Sequence, residues 1–461
     1  MPPRRAAATK ASATLKRERS SSLSDAESAS PPPKAAAKRS TTKAATKATP
    51  KSKATKSKDE DEDDAPAKKK RAPAKAKWPP PGLELESHPP RAGYPVYQFP
   101  TRPSVPNGGL RPETAYELPL MVGAHTSIAG GVAGALLRAN KAGANGVALF
   151  MKGARQWKAK DFEPEIVERF LENVKPKDEG GMGYGPETIL VHGNYLINLG
   201  NPDKAKWENA YECFRDDIAR CHQLGIKLYN WHPGSTVGQC TKEESYALVA
   251  KAINRVHKDV PEVITVIENM ANAGSNILGT TFHDLASMIA LVDDKSRVRV
   301  CLDTCHLFAA GYDLRTPEAY AETMQKFADE VGNHYLGGVH LNDSKEVLGG
   351  NRDLHENIGL GEIGLGGFRA LMRDPLMAGI PLILETPSGP GGGGETGDLS
   401  VWTKEIALLY EIQGVPDDEW AKKSVEIAKR WRKERDTLNP PKDKKGPKKG
   451  KKKADSDEDD D

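Results

Sequence analysis

The segment RVRVCLDTCH (residues 297–306) runs from β-branched and apolar residues directly into an acid, Asp303, and a histidine, His306. Its apolar part is typical of a strand buried on both faces, as in a parallel sheet covered by helices. An Asp-x-x-His pair at such a strand end could cap a helix, orient a catalytic histidine or hold a metal ion. The neighbouring Cys301 and Cys305 add a redox or thiolate zinc site to these alternatives.

The same pattern, a short apolar run followed by an amphipathic stretch, repeats from about residue 120. The sequence predicts eight strands: LMVGAH (120–125), GVALF (146–150), TILVH (188–192), KLYNWH (227–232), ITVIE (264–268), RVRVCLD (297–303), LGGVHLN (336–342) and PLILE (381–385). Helical patterns separate them, one of which opens with a capping box from Thr241 to Glu244. Alternation of this kind predicts an α/β fold, the (β/α)8 or TIM barrel. An open doubly wound sheet fits less well, because no Gly-rich phosphate loop follows the first strand.

The flanks of the chain differ from this middle part in composition. Residues 1–80 hold 21 Lys and Arg against 9 Asp and Glu, a net charge of +12, and residues 441–461 carry +1. Since the whole chain carries +3, the net charge of residues 81–440 is −10. We expect a disordered Lys/Ala/Ser-rich arm, a Pro-rich linker, a barrel, a helical extension and a disordered Lys/Asp-rich tail. Their predicted ranges are 1–80, 81–118, 119–415, 416–440 and 441–461. A basic arm on an acidic body favours a polyanionic partner, although a solvated tail without a partner is the alternative.

The five cysteines make no disulfide framework and include no Cys-x-x-Cys, so we interpret Cys301 and Cys305 as small core residues in a reducing compartment. No apolar run approaches the ~20 residues that span a bilayer, so we expect a soluble intracellular protein without a membrane partner. KKKRAPAKAK (68–77) and KDKKGPKKGKKK (442–453) each fit a nuclear import signal or a phosphate-contacting arm. A nuclear location is therefore expected, and a mitochondrial one in addition because the first residues are rich in Arg, Ala and Ser.

Polar residues gather where the predicted strands end, which is where barrel enzymes build their active sites. They are His125, His192, His232, Glu268, Asp303 with His306, His340 and Glu385, and the loop after the seventh strand adds Asp353 and His355. A single histidine there is more often structural. Four carboxylates buried together without cations, however, would cost several kcal/mol for each unpaired charge. Imidazole and carboxylate ligands favour zinc over manganese or iron, and nine of them suffice for three ions if a carboxylate bridges.

Longer motifs carry a family resemblance over Val122 to Gln413. VHGNYLINLG, NWHPGS, VIENMANAGSN, CLDTCHLFAAGYDLRT, GGVHLNDSK and PLILET resemble the endonuclease IV family of zinc-dependent apurinic/apyrimidinic endonucleases, in a eukaryotic, fungal-type member. The resemblance implies three zinc ions per chain and a role for Glu268 as the bridging carboxylate that positions a zinc hydroxide. The implied ligands are His192, His232 and Glu268 for the first ion, Glu268, Asp303, His340 and Glu385 for the second, and His306, Asp353 and His355 for the third.

The resemblance also implies contacts to DNA by Arg155, in KGARQW, and by Tyr195 and Leu196, in NYLINLG. Ala154, beside Arg155, and Leu360, in the glycine-rich loop after the seventh strand, depart from the family pattern at positions that bear on contacts to DNA. The implied reaction is hydrolysis of the phosphodiester 5′ to an abasic site, leaving a 3′-hydroxyl and a 5′-deoxyribose phosphate, together with 3′-end trimming. The implied partner is double-stranded DNA that contains abasic sites or blocked 3′ ends, and we expect a monomer.

Two other functions stay open from the residues alone. A sugar isomerase or epimerase on a similar metal barrel would need only one or two ions. A non-catalytic, chromatin-associated DNA binder would take its affinity from the Lys/Ala-rich arms through counterion release.

Overall fold

The computed structural model describes residues 120–388 and 398–440, so the predicted arm (1–80), linker (81–118) and tail (441–461) lie outside the described residues. The strands are β1 (Met121–His125), β2 (Gly146–Phe150), β3 (Ile189–His192), β4 (Leu228–Trp231), β5 (Ile264–Glu268), β6 (Val298–Asp303), β7 (Leu336–Leu341), β8 (Asp343–Ser344), β9 (His355–Glu356) and β10 (Pro381–Leu384). The α-helices are α1 (Val132–Lys141), α2 (Pro164–Val174), α3 (Lys204–Gln223), α4 (Lys242–Asp259), α5 (Phe282–Ala290), α6 (Thr304–Ala309), α7 (Pro317–Glu330), α8 (Gly364–Met372), α9 (Ser400–Gly414) and α10 (Asp417–Leu438). Among them, no helix has the length and apolar character needed to cross a membrane.

Eight parallel strands close into a barrel in the order β1-β10-β7-β6-β5-β4-β3-β2. The barrel closes where β1 pairs with β10, Val122 lying opposite Leu382. The predicted (β/α)8 barrel is therefore confirmed. Since all eight strands point the same way, their carboxyl ends share one face, and the side chains that end them are brought together there.

Packing explains why the strands are apolar. A small cluster fills the barrel interior, and it consists of Ala148, Leu190, Leu228, Val266, Cys301 and Ile383. A much larger core lies between the strands and the helices. Between β1 and β2 the backbones approach so closely that a Cβ on Gly123 would stand 1.7 Å from the carbonyl oxygen of Gly146. Only glycine fits there, and it lets these strands pair.

Local signals place the helices. The capping box is present, with the Thr241 hydroxyl accepting from the Glu244 amide and the Glu244 carboxylate accepting from the Thr241 amide. The Thr316 hydroxyl caps α7 by accepting from the Ala319 amide, with Pro317 in the first turn. After β7 the chain forms an antiparallel pair of two-residue strands, β8 and β9, which carries His355 to the carboxyl face of the barrel. The last helix, α10, packs on α8 and α9.

Candidate metal centre

Glu268, the last residue of β5, lies at the centre of a group of four imidazoles and is fully buried. Its Oε1 atom is 3.1 Å from Nδ1 of His340 and 3.5 Å from Nδ1 of His306. Its Oε2 atom is 3.4 Å from Nε2 of His232 and 3.6 Å from Nε2 of His192. One carboxylate therefore faces side chains from four other strand ends, an arrangement suited to bridging two cations.

Asp303 and Glu385 flank His340 on the same face. Nδ1 of His340 is 3.4 Å from Oε2 of Glu385 and 3.9 Å from Oδ2 of Asp303. Oδ2 of Asp303 is also 3.8 Å from Nε2 of His355. Asp303 thus connects the central group to the loop that carries His355.

Asp353 completes the arrangement at its outer edge, where its side chain keeps 46% of its exposure. Its carboxylate oxygens lie 2.9 Å from Nε2 of His355 and 3.2 Å from Nε2 of His306. The structure therefore brings all nine sequence-predicted ligands to one end of the barrel.

Sets of ligand atoms that all lie within 4.8 Å of one another mark where single ions could bind. They are His192, Glu268 and His340; Asp303, His340 and Glu385; Asp303, His306 and His355; and Cys305, Asp353 and His355. The second set agrees with the predicted second ion. The other sets combine the ligands differently from the prediction. Glu268 and His192 group with His340, and Asp303 groups with His306 and His355. His232 belongs to none of these sets but lies 3.4 Å from Glu268.

Cys305 is near two of these ligands but is a poor ligand itself. Its side chain is buried, and burial, reinforced by the nearby carboxylates of Asp303 and Asp353, raises the pKa of its thiol well above the usual value. A thiol bound to zinc must lose its proton. The interpretation of Cys305 as a small core residue therefore fits its surroundings.

Two imidazoles are oriented by backbone carbonyls. Nδ1 of His192 is 2.8 Å from the carbonyl oxygen of Gly193, and Nδ1 of His306 is 2.9 Å from that of Asn269. An N–H donated to these oxygens leaves Nε2 with its lone pair directed at the carboxylates, as metal-binding histidines require. Burial lowers the pKa of His192 to about 3, so that this ring is neutral and free to bind a cation.

Elsewhere in the centre, carboxylates control the protonation of the imidazoles. Burial by itself lowers the pKa of His306 and His355, but Asp303 and Asp353 outweigh it and raise these pKa values to about 10 and about 9. Conversely, although burial raises the pKa of Glu385, its histidine neighbours, His340 first, hold it well below the usual range. Protons on these imidazoles occupy the same nitrogens that a metal would use, so the two compete.

Basic side chains do not neutralise these acids. Within residues 120–388 and 398–440, no lysine or arginine forms an ion pair with any of the four carboxylates, which are Glu268, Asp303, Asp353 and Glu385. Glu268 and Asp303 are fully buried, and buried acids need cations, which protonated imidazoles or bound metal ions would supply. Imidazole nitrogen with carboxylate oxygen is a donor set that fits a divalent ion of the zinc type.

Comparison with known proteins agrees with this geometry. Residues 136–412 match the xylose isomerase-like TIM barrel family. The chain is 47% identical over 276 residues to apurinic-apyrimidinic endonuclease 1 of Schizosaccharomyces pombe, covering 60% of this chain and 77% of that protein. It is 48% identical over 292 residues to the probable endonuclease 4 of Chlorobium phaeobacteroides, covering 63% of this chain and 97% of that protein. The chain belongs to the endonuclease IV family.

A solved member of the endonuclease IV family has the same barrel. The crystal structure of endonuclease IV from Thermus thermophilus is 32% identical, superposes with a TM-score of 0.52 and covers 62% of this chain and 99% of that one. The resemblance inferred from the motifs is therefore confirmed.

Sequence reasoning missed the amides that orient the carboxylates in this endonuclease IV family member. Nδ2 of Asn230 donates to Oε2 of Glu268 at 2.6 Å, and Nδ2 of Asn342 donates to Oδ2 of Asp303 at 2.6 Å. Asn230 stands in β4 and Asn342 directly follows β7, so both lie close to a strand end. Their proximity to strand ends is the signal that could have identified them.

Two further side chains, His125 and Cys301, lie close to predicted metal ligands. Nδ1 of His125, a strand-end histidine without an assigned role, is 2.8 Å from Oε1 of Glu385. Cys301, interpreted as a core residue, is fully buried inside the barrel, close enough to His340 for its sulfur to favour a higher pKa of that imidazole. The spacing of these residues in the sequence predicts neither contact, because each contact depends on closure of the barrel.

The predicted DNA-contacting residues lie at the mouth of the centre. The Tyr195 ring is 47% exposed, and its centroid is 5.2 Å from that of His192. The Arg155 guanidinium is 6.0 Å from the centroid of the Tyr195 ring, while Leu196 beside it is half-buried. Asn194 joins the two loops, because its Nδ2 donates to the carbonyl oxygens of Gly153 and Gln156 at 2.8 and 2.9 Å.

Proposed function

We propose that this chain is a metal-dependent apurinic/apyrimidinic endonuclease of DNA repair, which hydrolyses the phosphodiester 5′ to an abasic site. The observation that carries the proposal is the convergence of five imidazoles and four carboxylates on one face of the barrel, in a chain whose relatives are named apurinic-apyrimidinic endonuclease 1 and endonuclease 4. The products would be a 3′-hydroxyl and a 5′-deoxyribose phosphate, and removal of blocking groups from 3′ ends would use the same centre.

We further propose three zinc ions as the cofactor. His192, His232 and Glu268 would hold the first, Glu268, Asp303, His340 and Glu385 the second, and His306, Asp353 and His355 the third. Zinc in such sites acts as a Lewis acid on phosphoryl oxygens and makes water acidic enough to serve as a nucleophile near neutral pH. Three divalent ions exceed the charge of the four carboxylates, so the loaded centre would be electropositive and would attract a phosphate.

The protein itself would position the groups around the phosphate. Asn230 and Asn342 fix the orientation of Glu268 and Asp303 through hydrogen bonds of 2.6 Å, which keeps a second lone pair of each carboxylate directed into the centre. The carbonyl of Gly193 fixes His192 in the same way. Preorganised ligands of this kind need no rearrangement during the reaction.

Double-stranded DNA is the proposed substrate, with an abasic nucleotide turned out of the helix and into the centre. Tyr195, exposed beside His192, and Arg155, within reach of its ring, offer an aromatic face and a guanidinium plane to bases left unstacked at the gap. Leu196 adds an apolar wedge. We propose that the chain acts as a monomer.

We also propose a nuclear location and, in addition, a mitochondrial one. The proposal rests on the basic segments 68–77 and 442–453 and on the Arg- and Ser-rich first residues. Imaging of the full chain and of versions that lack either basic segment tests it, since loss of nuclear signal is expected only when the responsible segment is removed.

The experiment that tests the activity uses a duplex oligonucleotide with one abasic site. The purified chain should cut the strand once, on the 5′ side of the site, and a DNA polymerase should extend the resulting 3′-hydroxyl directly. A strong chelator should stop the cut and added zinc should restore it, while the undamaged duplex stays intact. A 3′ end that polymerase cannot extend, or cutting that survives chelation, would contradict the proposal.

A further inference from the structure

The last helix, α10 (Asp417–Leu438), lies beyond residue 412, where the match to the barrel family ends. It is nevertheless firmly packed. Trp431 is 2% exposed and Ile427 is 3% exposed, whereas most of the other side chains of the helix face solvent. A helix that buries a tryptophan outside the family's barrel has a structural task that the barrel alone does not explain.

The ion pairs at its ends show how α10 runs along the barrel. In its first turn, Asp417 accepts hydrogen bonds from Arg369 and Arg373 at 2.6 and 2.5 Å, at the end of α8. That end of α8 leads into β10 and so lies at the amino-terminal face of the barrel. In its last turns, Arg435 is 3.4 Å from Glu356, in the loop that carries a metal ligand. A helix of 22 residues, about 33 Å long, therefore spans the height of the barrel.

The carboxyl-face end of α10 contacts the loop directly after His355. Nε1 of Trp431 donates to the carbonyl oxygen of Ile358 at 2.8 Å, and the Ile358 amide donates to Oε1 of Glu405, on α9, at 2.8 Å. Ile358 is fully buried. Both of its backbone groups are thus bound by helices outside the loop, which fixes the turn three residues beyond His355.

The loop before His355 depends on neighbouring elements for support. Between residues 345 and 354 it contains no helix or strand. Its Gly349 and Asn351 amides donate to carbonyl oxygens of α6 at 3.0 Å, and β8 pairs with β9 over two residues at its ends. Asp353 and His355 must nevertheless be held at 2.9 Å from one another and near His306. Positions on loops are less precise than positions on strands unless neighbouring elements hold them.

We propose that α10 is a clamp on the metal-binding loop, with Trp431 as a positioning residue for Asp353 and His355. This proposal rests on the proposed function, since it concerns the predicted third metal position. The clamp acts through the Ile358 carbonyl, and Trp431 touches neither ligand. If the Nε1–H is lost, the carbonyl stays buried without its donor, and the turn shifts to regain a partner.

Trp431→Phe in the full chain tests the clamp, because it removes the donor and keeps an aromatic ring in the core. Trp420→Phe, on the same helix, is the matched control, since its ring contacts Arg369 at 4.7 Å and is remote from the loop. In chelator-treated protein, hydrogen exchange of segment 352–363 should be faster in Trp431→Phe than in wild type or Trp420→Phe. Equal exchange in the two variants would overturn the proposal.

Zinc binding gives the second measurement. As chelator increases, Trp431→Phe should lose one class of zinc at a roughly ten-fold lower chelator concentration than the control, the size expected when an outer support of a ligand is removed. Excess zinc should then restore its activity. Identical zinc titrations in the two variants would count against the clamp. Failure of wild type to cut abasic DNA would instead count against the proposed function alone, because the exchange measurement needs neither metal nor substrate.

Discussion

Oε1 of Glu268 lies 3.1 Å from Nδ1 of His340, and both side chains are fully buried at the carboxyl ends of β5 and β7. In the proposed centre this carboxylate, with three more imidazoles around it, would serve more than one ion. Its removal should therefore affect the centre more than the loss of any ligand at the edge.

Glu268→Gln and His340→Ala should each lower incision of abasic DNA at least about 100-fold, since loss of a direct ligand exceeds the effect of losing an outer partner. Glutamine has nearly the same shape as glutamate, but its side chain carries no negative charge and would not bridge two cations. Turnover by either variant near the wild-type rate contradicts the assignment. Circular dichroism should show that both still fold.

Asn230→Ala and Asn342→Ala should weaken zinc binding by about 10–100-fold, because each removes the hydrogen bond that orients one carboxylate. Asn254→Ala is the control, since Asn254 donates to the Leu291 carbonyl and accepts from the Asp293 amide at the far end of α4. Competition with a zinc indicator measures the affinity. Equal affinities in all three variants would show that the amides do not matter.

Tyr195→Ala should lower kcat/KM on abasic duplex by about 10–100-fold, the range that corresponds to loss of one base–aromatic stack. Its zinc content should remain that of wild type, because the Tyr195 ring packs against the His192 ring and is not itself a predicted metal ligand. Tyr195→Phe keeps the ring and should keep the activity. If the phenylalanine variant fails as badly as the alanine variant, stacking is not the role of this residue.

Glu405 makes stability depend on pH. Burial raises the pKa of its carboxyl group from 4.5 to about 7, despite hydrogen bonds from Thr386, Ile358 and Asn357. Since the folded chain holds this proton more tightly than the unfolded chain, stability is full below about pH 4.5 and falls as the pH rises to about 7, by roughly 3 kcal/mol. Glu405→Gln has no such proton. Denaturant unfolding at pH 5 and pH 8 should show the variant gaining stability relative to wild type at the higher pH, and a constant difference contradicts the account.

Deletion of residues 1–110 should leave incision by the barrel intact at low salt and make binding less sensitive to salt, because the removed arm is rich in lysine. Binding at several salt concentrations measures the change. If the truncated chain folds but no longer cuts abasic DNA, the arm does more than add affinity.

The barrel and the positions of the nine predicted ligands could be read from the sequence because each follows a local rule. A buried parallel strand is apolar throughout, so a His, Asp or Glu at its end, such as His192 or Asp303, is conspicuous. Capping signals are equally local, as with Thr241. The grouping of the ligands could not be read, because closeness of His340 to both Glu268 and Glu385 depends on how β10 closes against β7.

The partners of the carboxylates could be read from the sequence only in part. Asn230 and Asn342 lie close to strand ends, which makes them candidates, but only the closed barrel turns their amides toward Glu268 and Asp303. The contact of Trp431 with Ile358 joins segments 73 residues apart. Contacts of this kind follow from tertiary packing, which no local pattern encodes.

The most direct test of the account counts the metals in active protein. Elemental analysis of the full-length chain, with its activity on abasic DNA measured on the same sample, should give three zinc ions per chain, falling in step with activity as a chelator removes them. A fully active chain that contains one zinc ion or none would contradict the proposed centre.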